Sequence, residues 1–268
     1  MKWVKVKHGD GSAYGLLNND SIQLTDHRWG DILERKSIVP KEEIALDEAT
    51  LLNPIGRPGK IVCVGLNYMD HCRETNTPPP QQPLLFTKFT TSLNDPMGDI
   101  VWSTSLTNEV DWEAELAVII GKQCRKTSEG DALSYVAGYT AANDVSARDL
   151  QLGDGQWVRG KSLDTFCPLG PTFVTADEIS DPQGLAIRCL LNDEVMQDSH
   201  TREMIFPVKK LISFCSQAFT LEPGDVLLTG TPFGTGLGRD PKVYMQDGDR
   251  VIVEIEGIGR LENWCRAI

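Results

Sequence analysis

Short runs of β-branched and aromatic residues, cut by turn residues, dominate the first fifty positions. Trp3, Val4 and Val6 predict a strand that turns at Gly9-Asp10-Gly11; Tyr14–Leu17 and Ile22–Leu24 predict two more, split by Asn18-Asn19-Asp20. A helix is expected over Trp29–Lys36, with Asp26 as its acidic cap. Asn53–Gly59 carries two prolines and two glycines and reads as a connector. Beyond it, Lys60–Gly65 suits a buried strand, Asn67–Glu74 one or two helical turns, and Leu84–Phe89 another strand. The prolines at 78–80 between them exclude helix and central strand. Val110–Gly121 is the strongest strand signal in the chain, followed by a helix expected around Glu129–Val136. Further strands are expected at 138–142, 170–174, 185–191, 226–228 and 250–255. Pro207–Ala218 places apolar residues at 208, 211, 212 and 215, one face of a helix.

Many strands, few short helices and no regular strand–helix alternation predict a β-rich α+β fold. The connector divides the chain into a small N-terminal β domain, residues 1–56, and a larger domain, residues 57–268.

Composition narrows the function classes. The 268 residues carry 26 basic and 38 acidic side chains, a formal charge of −12, so a nucleic-acid partner is excluded for want of a basic face. The longest unbroken apolar run in the acidic segment, Leu116–Ile120, falls far short of the roughly 20 residues that cross a bilayer, so no membrane partner is expected. The charged N-terminal stretch has no signal-peptide core, and the seven cysteines are scattered without a CxxC pair. Buried thiols in a reducing cytoplasm are the expectation.

Candidate chemistry concentrates in Glu109-Val-Asp-Trp-Glu-Ala-Glu115. In a strand, Glu109, Asp111, Glu113 and Glu115 project from one face. Four carboxylates side by side need screening by water or a bound cation. The apolar run that follows carries Glu115 to the margin of a core, where an unpaired carboxylate is costly. Oxygen-only ligands suit hard cations such as Mg²⁺, Mn²⁺ or Ca²⁺. Asp144, at the end of a strand of small residues, is either a third ligand or the cap of a helix over 145–152. His71 and Glu74 lie three apart on a helical turn, a spacing at which a carboxylate can orient an imidazole as a general base. Lys161 follows a glycine, and Gly230–Gly236 is a glycine-rich loop without the lysine of a phosphate-binding loop.

Together these segments resemble the fumarylacetoacetate hydrolase family. The motifs are Asn67-Tyr68 with His71 and Glu74, Asp111–Leu116, and Asn143-Asp144 with Arg148 and Gln151. Gly160-Lys161-Ser162, Cys167–Pro171 and Thr229–Pro232 complete the series over roughly residues 60–268. The resemblance implies a mixed β-sandwich roll and a homodimer. It implies Mg²⁺ or Mn²⁺ held by Glu113, Glu115 and Asp144, with Asp111 a neighbour of the ligands. It assigns His71, Glu74 and Lys161 to catalysis, and Arg148, Gln151 and Thr231 to a 2-oxo acid substrate. Animal members carry a fourth carboxylate seven residues before the histidine, where this chain has Val64; with the local His71/Glu74 pair, this points to the shorter acylpyruvase-like branch. The implied reaction is hydrolysis of a 2,4-dioxo acid to pyruvate and a carboxylic acid. Oxaloacetate decarboxylation or tautomerisation, or isomerisation of an unsaturated 2-oxo diacid, uses the same metal–enolate chemistry. A non-catalytic metal-binding scaffold is the alternative outside enzymes. The loop 75–83 is a candidate lid.

Overall fold

The computed structural model describes all 268 residues. It is β-rich, with a twelve-stranded mixed sheet and a five-stranded sheet. The first strands, Lys2–His8, Gly11–Asn18, Ser21–Thr25 and Pro40–Ala45, form a meander. It continues directly into the large sheet, because Lys2–His8 pairs antiparallel with Cys167–Thr175. Beyond that strand lie Val136–Asn143, Ala114–Ile120, Val226–Leu228, Ile61–Gly65 and Leu84–Lys88. The five-stranded sheet, Glu194–His200, Ala186–Leu191, Arg250–Ile255, Gly259–Ala267 and Asp99–Trp102, packs across the centre of the large one. A 41-residue apolar cluster fills the space between and around them, including Trp112, Leu116, Val118, Ile187, Val253 and Leu211.

All seven residues of Ala114–Ile120 are buried, as an apolar run covered on both faces must be. Its partner Val136–Asn143 is likewise buried throughout, and its small residue Gly138 lets the neighbouring strand Cys167–Thr175 approach closely. Gly138 is needed for this: a Cβ there would lie 2.1 Å from the carbonyl oxygen of Val174. The helix Val208–Ala218 starts after Pro207 and buries Val208, Leu211, Ile212 and Cys215, the predicted face.

Several local expectations differ from the structure. The helix at Trp29 ends at Leu33, and its first turn is closed by Asp31, which accepts the Arg28 N–H; Asp26 pairs with Lys41 instead. Around Glu129–Val136 only a 3₁₀ turn forms, Ala132–Tyr135. The predicted strand Val110–Gly121 is two pieces, Val110–Asp111 and Ala114–Ile120, with Trp112 and Glu113 in the break. The alternation that put four carboxylates on one face therefore does not run through the segment. Asp144 caps no helix, because the next one spans Arg148–Gly153 and begins after Ala147.

Candidate active site

The break in the acidic strand builds the site. Ala114 pairs with Asn143, which brings Glu113 and Glu115 to the same end of the sheet as Asp144. Side chains take over the backbone groups left by the interrupted ladder. Asn143 Oδ1 accepts the Glu113 N–H at 2.9 Å, and Gln197 Oε1 accepts the Ala114 N–H at 2.9 Å. Trp112 donates its indole N–H to the Gly234 carbonyl, pinning the break against the glycine-rich loop.

Glu113, Glu115 and Asp144 are all buried, and one oxygen from each lies within 4.8 Å of the others. Their surroundings differ. Lys161 Nζ donates to Glu113 Oε2 at 2.7 Å and to Asp144 Oδ2 at 3.0 Å. Lys88 Nζ donates to the other Asp144 oxygen at 2.7 Å and to the Val145 carbonyl at 3.0 Å. Arg148 Nη1 sits 2.7 Å from Glu113 Oε1. Burial works against the Glu113 charge, but the Lys161 ammonium and Arg148 guanidinium outweigh it and hold its carboxyl down at about 2. Glu115 has no basic partner; Gly230 N–H donates to it at 2.7 Å. Burial, together with the Asp144 and Glu113 charges, pushes the Glu115 carboxyl well above the ordinary carboxylate range. Desolvation disfavours the Lys161 charge, yet the Asp144 and Glu113 carboxylates more than offset it and raise the ammonium's pKa.

Asp111 serves a different purpose. It accepts from Arg148 Nε at 2.7 Å and from the backbone N–H groups of Gly236 and Leu237 at 2.7 and 3.0 Å. It thereby ties the guanidinium to the glycine-rich loop and stands apart from the triad, as a neighbour. Across the cluster, four buried carboxyl groups (Asp111, Glu113, Glu115, Asp144) meet three buried cations (Lys88, Arg148, Lys161), so with all four ionised one negative charge is uncompensated. That residual charge, an oxygen-only donor set and a Glu115 without a counter-ion fit a hard divalent cation. With the ion the cluster becomes net positive, the sign needed to bind an anion within an acidic protein.

His71 and Glu74 come from the helix Met69–Glu74, with His71 Nδ1 3.0 Å from Glu74 Oε2. As a carboxylate Glu74 can only accept, so Nδ1 carries the hydrogen and Nε2 the lone pair. Glu74 is fixed in turn by Gly234 N–H at 2.9 Å, and Gly238 lies so close that a Cβ there would be 2.6 Å from its carboxyl carbon. The helices carrying Arg148 and Lys161 are locked together at Gly160, where a Cβ would lie 2.5 Å from the Gln151 nitrogen.

One cavity of about 290 Å³ gathers His71, Glu113, Glu115, Arg148, Gln151, Lys161 and Thr231. Glu74 and Asp144 stand directly behind it, through their contacts with His71 and Lys161. Val64 lines the wall, and from the loop 75–83 only Thr75 and Thr77 reach it. Arg148 Nη1 donates to Gln151 Oε1 at 2.9 Å, leaving the Gln151 amide N–H₂ without a partner in the chain. Gln197 Nε2 donates to Thr231 Oγ1 at 2.9 Å, leaving that hydroxyl's own hydrogen free to donate. Sequence reasoning missed Lys88 and Gln197. Lys88 ends an apolar strand, where a lone lysine carries no signal of burial; Gln197 sits in a polar edge strand that shows no alternation.

Residues 60–266 match the family model described as fumarylacetoacetate (FAA) hydrolase C-terminal, and residues 1–54 match the Rv2993c-like N-terminal model. The chain belongs to the fumarylacetoacetate hydrolase family. Family members of known structure share the whole fold. A fumarylacetoacetate hydrolase from psychrophilic Exiguobacterium antarcticum superposes with a TM-score of 0.91 at 38% identity, covering 100% of both chains. The 5-carboxymethyl-2-hydroxymuconate delta-isomerase of Mycobacterium smegmatis gives 0.86 at 34% identity, again over 100% of both. Among relatives, the oxaloacetate tautomerase FAHD2A of Bos taurus is 49% identical over 228 residues, 84% of this chain and 71% of that protein. Its Homo sapiens counterpart is 47% identical over the same shares. Both are named as mitochondrial, which lends no support to the cytoplasmic expectation. No helix is long and apolar enough to cross a membrane.

Proposed function

We propose that this chain is a divalent-cation-dependent tautomerase that interconverts the keto and enol forms of a short 2-oxo diacid of the oxaloacetate type. The carrying observation is that His71, with Nε2 as its free nitrogen, shares one small cavity with Glu113 and Glu115 of the acidic triad, Arg148 and Lys161. Relatives named as oxaloacetate tautomerases support this reading over the hydrolysis first expected from the sequence motifs.

In this mechanism Glu113, Glu115 and Asp144 hold Mg²⁺ or Mn²⁺, which when bound supplies Lewis-acid stabilisation of negative charge on the 2-oxo group. Gln151 N–H₂ and Thr231 O–H donate to the substrate's 1-carboxylate, and Arg148 adds its positive charge. His71 Nε2 takes a proton from C3, the C–H electron pair becomes the C2–C3 double bond, and charge moves onto the C2 oxygen. Lys161, kept as an ammonium by Glu113 and Asp144, faces that charge as a preorganised donor. His71 then passes that proton to the oxygen, which gives the enol and restores the free imidazole; the reverse sequence carries the proton back through His71 to C3. Glu74 holds the imidazole in the required tautomer throughout.

The same dyad can activate a water for hydrolysis of a 2,4-dioxo acid, and His71 within reach of the cavity is what favours this second reading. Product analysis separates the two. With Mg²⁺ or Mn²⁺, enol oxaloacetate should disappear without pyruvate release, and acylpyruvates should remain intact. Pyruvate from acylpyruvates, with keto–enol exchange of oxaloacetate unaccelerated, would make the chain a hydrolase. His71→Ala is expected to lower turnover by about 10²–10⁴-fold, the usual worth of a general base. Divalent-ion affinity, titrated calorimetrically, should stay within a few-fold; a loss of affinity comparable to the loss of turnover would refute the base assignment.

A further inference from the structure

The inner and outer ends of the cavity differ in chemistry. Arg148 and Lys161 are the only basic side chains that line it, and both are engaged at the inner end by Asp111, Glu113 and Asp144. The incompletely buried part of the lining is apolar: Phe86, Leu152, Trp157 and Leu237. The two threonines there are already engaged as donors, Thr75 to the His71 carbonyl and Thr77 to that of Thr75. Among the lining groups, His71 Nε2 and the Gln151 amide thus keep a free nitrogen beside this apolar wall.

Trp157 is the piece of that wall held most firmly. Its ring meets Phe86 edge to face, with centroids 5.3 Å apart and planes at 67°. Phe86 is itself seated under Lys161, whose Nζ lies 5.1 Å from the ring centre. On the other side the tip of the Trp157 ring meets the backbone at Gly65, where a Cβ would come within 2.4 Å of its Cζ3. A rigid aromatic braced on both sides cannot swing away for a longer ligand without losing these contacts.

We propose that Trp157 is the specificity-determining residue of the site, limiting it to 2-oxo acids with a short tail and rejecting long or remotely charged ones. This rests on the 2-oxo acid reading of the cavity and names its size class. A short 2-oxo acid ends before the Trp157 ring, whereas a longer diacid would have to press its far carboxylate against that ring, which carries no charge to meet it.

The test uses the Mn²⁺-loaded protein and calorimetric titration of two inert mimics, oxalate for the 2-oxo acid end and N-benzyloxamate for the same end with a bulky tail. In the wild type N-benzyloxamate should bind at least about tenfold more weakly than oxalate, the discrimination a tight pocket gives for added bulk. In Trp157→Ala the ratio of the two dissociation constants should fall about tenfold, and in Trp157→Phe by an intermediate factor. The phenylalanine variant carries the test if the alanine variant fails to fold. Oxalate binding with an unchanged ratio in a folded variant would overturn the size limit alone. Failure of oxalate to bind the loaded wild type would overturn the 2-oxo acid reading and the size limit with it.

Discussion

Glu115→Gln is expected to abolish divalent-cation binding while leaving the metal-free protein as stable as the wild type, or more so. Glu115 is the one member of the triad without a basic partner, and burial together with Asp144 and Glu113 already opposes its charge. Glutamine keeps the size and the carbonyl oxygen that accepts the Gly230 N–H, but removes the charge that a cation would neutralise. The affinity for Mn²⁺ should fall by at least ~100-fold and turnover by a factor on the order of 10³, because the lost stabilisation is several kcal/mol. Calorimetric titration and thermal denaturation with and without Mn²⁺ check this. A variant whose melting temperature still rises with Mn²⁺ as the wild type's does would remove Glu115 from the ligand set.

Asp111→Asn has the opposite profile, with its main effect on the fold. Asp111 is fully buried and takes Arg148 together with two loop N–H groups. An amide offers one acceptor oxygen where the carboxylate offers two, and it leaves a buried guanidinium short of charge. Breaking one side of a buried pair costs about 3–5 kcal/mol. For a chain near this size that corresponds to roughly 5–20 °C in melting temperature. Denaturant titration of the metal-free protein gives the number directly. A loss below ~1 kcal/mol would mean that the Arg148–Asp111 pair does not hold the loop to the site.

The contrast between these two residues shows what a sequence conveys and what it withholds. Period-two spacing places Asp111, Glu113 and Glu115 on one face, and the motif resemblance separates Asp111 from the ligands. The structure supplies the physical cause of that separation. The strand breaks at Trp112, whose indole bonds to Gly234, while Asn143 and Gln197 replace the missing ladder partners. Each of those partners lies between 30 and 122 residues away, beyond the reach of local pattern. Lys88 was illegible for the same reason, since its partner Asp144 is 56 residues off. Buried strands such as Ala114–Ile120 announced themselves by composition. Glu194–His200, a polar strand at the sheet edge, did not, because its pairing with Ala186–Leu191 rests on backbone groups and an exposed Arg188–Asp198 pair.

Charge acquires a location in the same way. A formal −12 predicts that an anionic substrate is repelled at a distance. In the cluster around the cavity, the summed charge of three buried cations and one dication would exceed that of four carboxylates, so attraction would begin only at the site itself.

Keto–enol exchange of oxaloacetate, followed by the decay of enol absorbance with the Mn²⁺-loaded protein and again after EDTA, tests the central claim most directly. The account predicts acceleration of at least ~10²-fold over buffer containing the same ion, lost on chelation and restored by added Mn²⁺. An exchange rate equal to that buffer's, or one indifferent to EDTA, would contradict it.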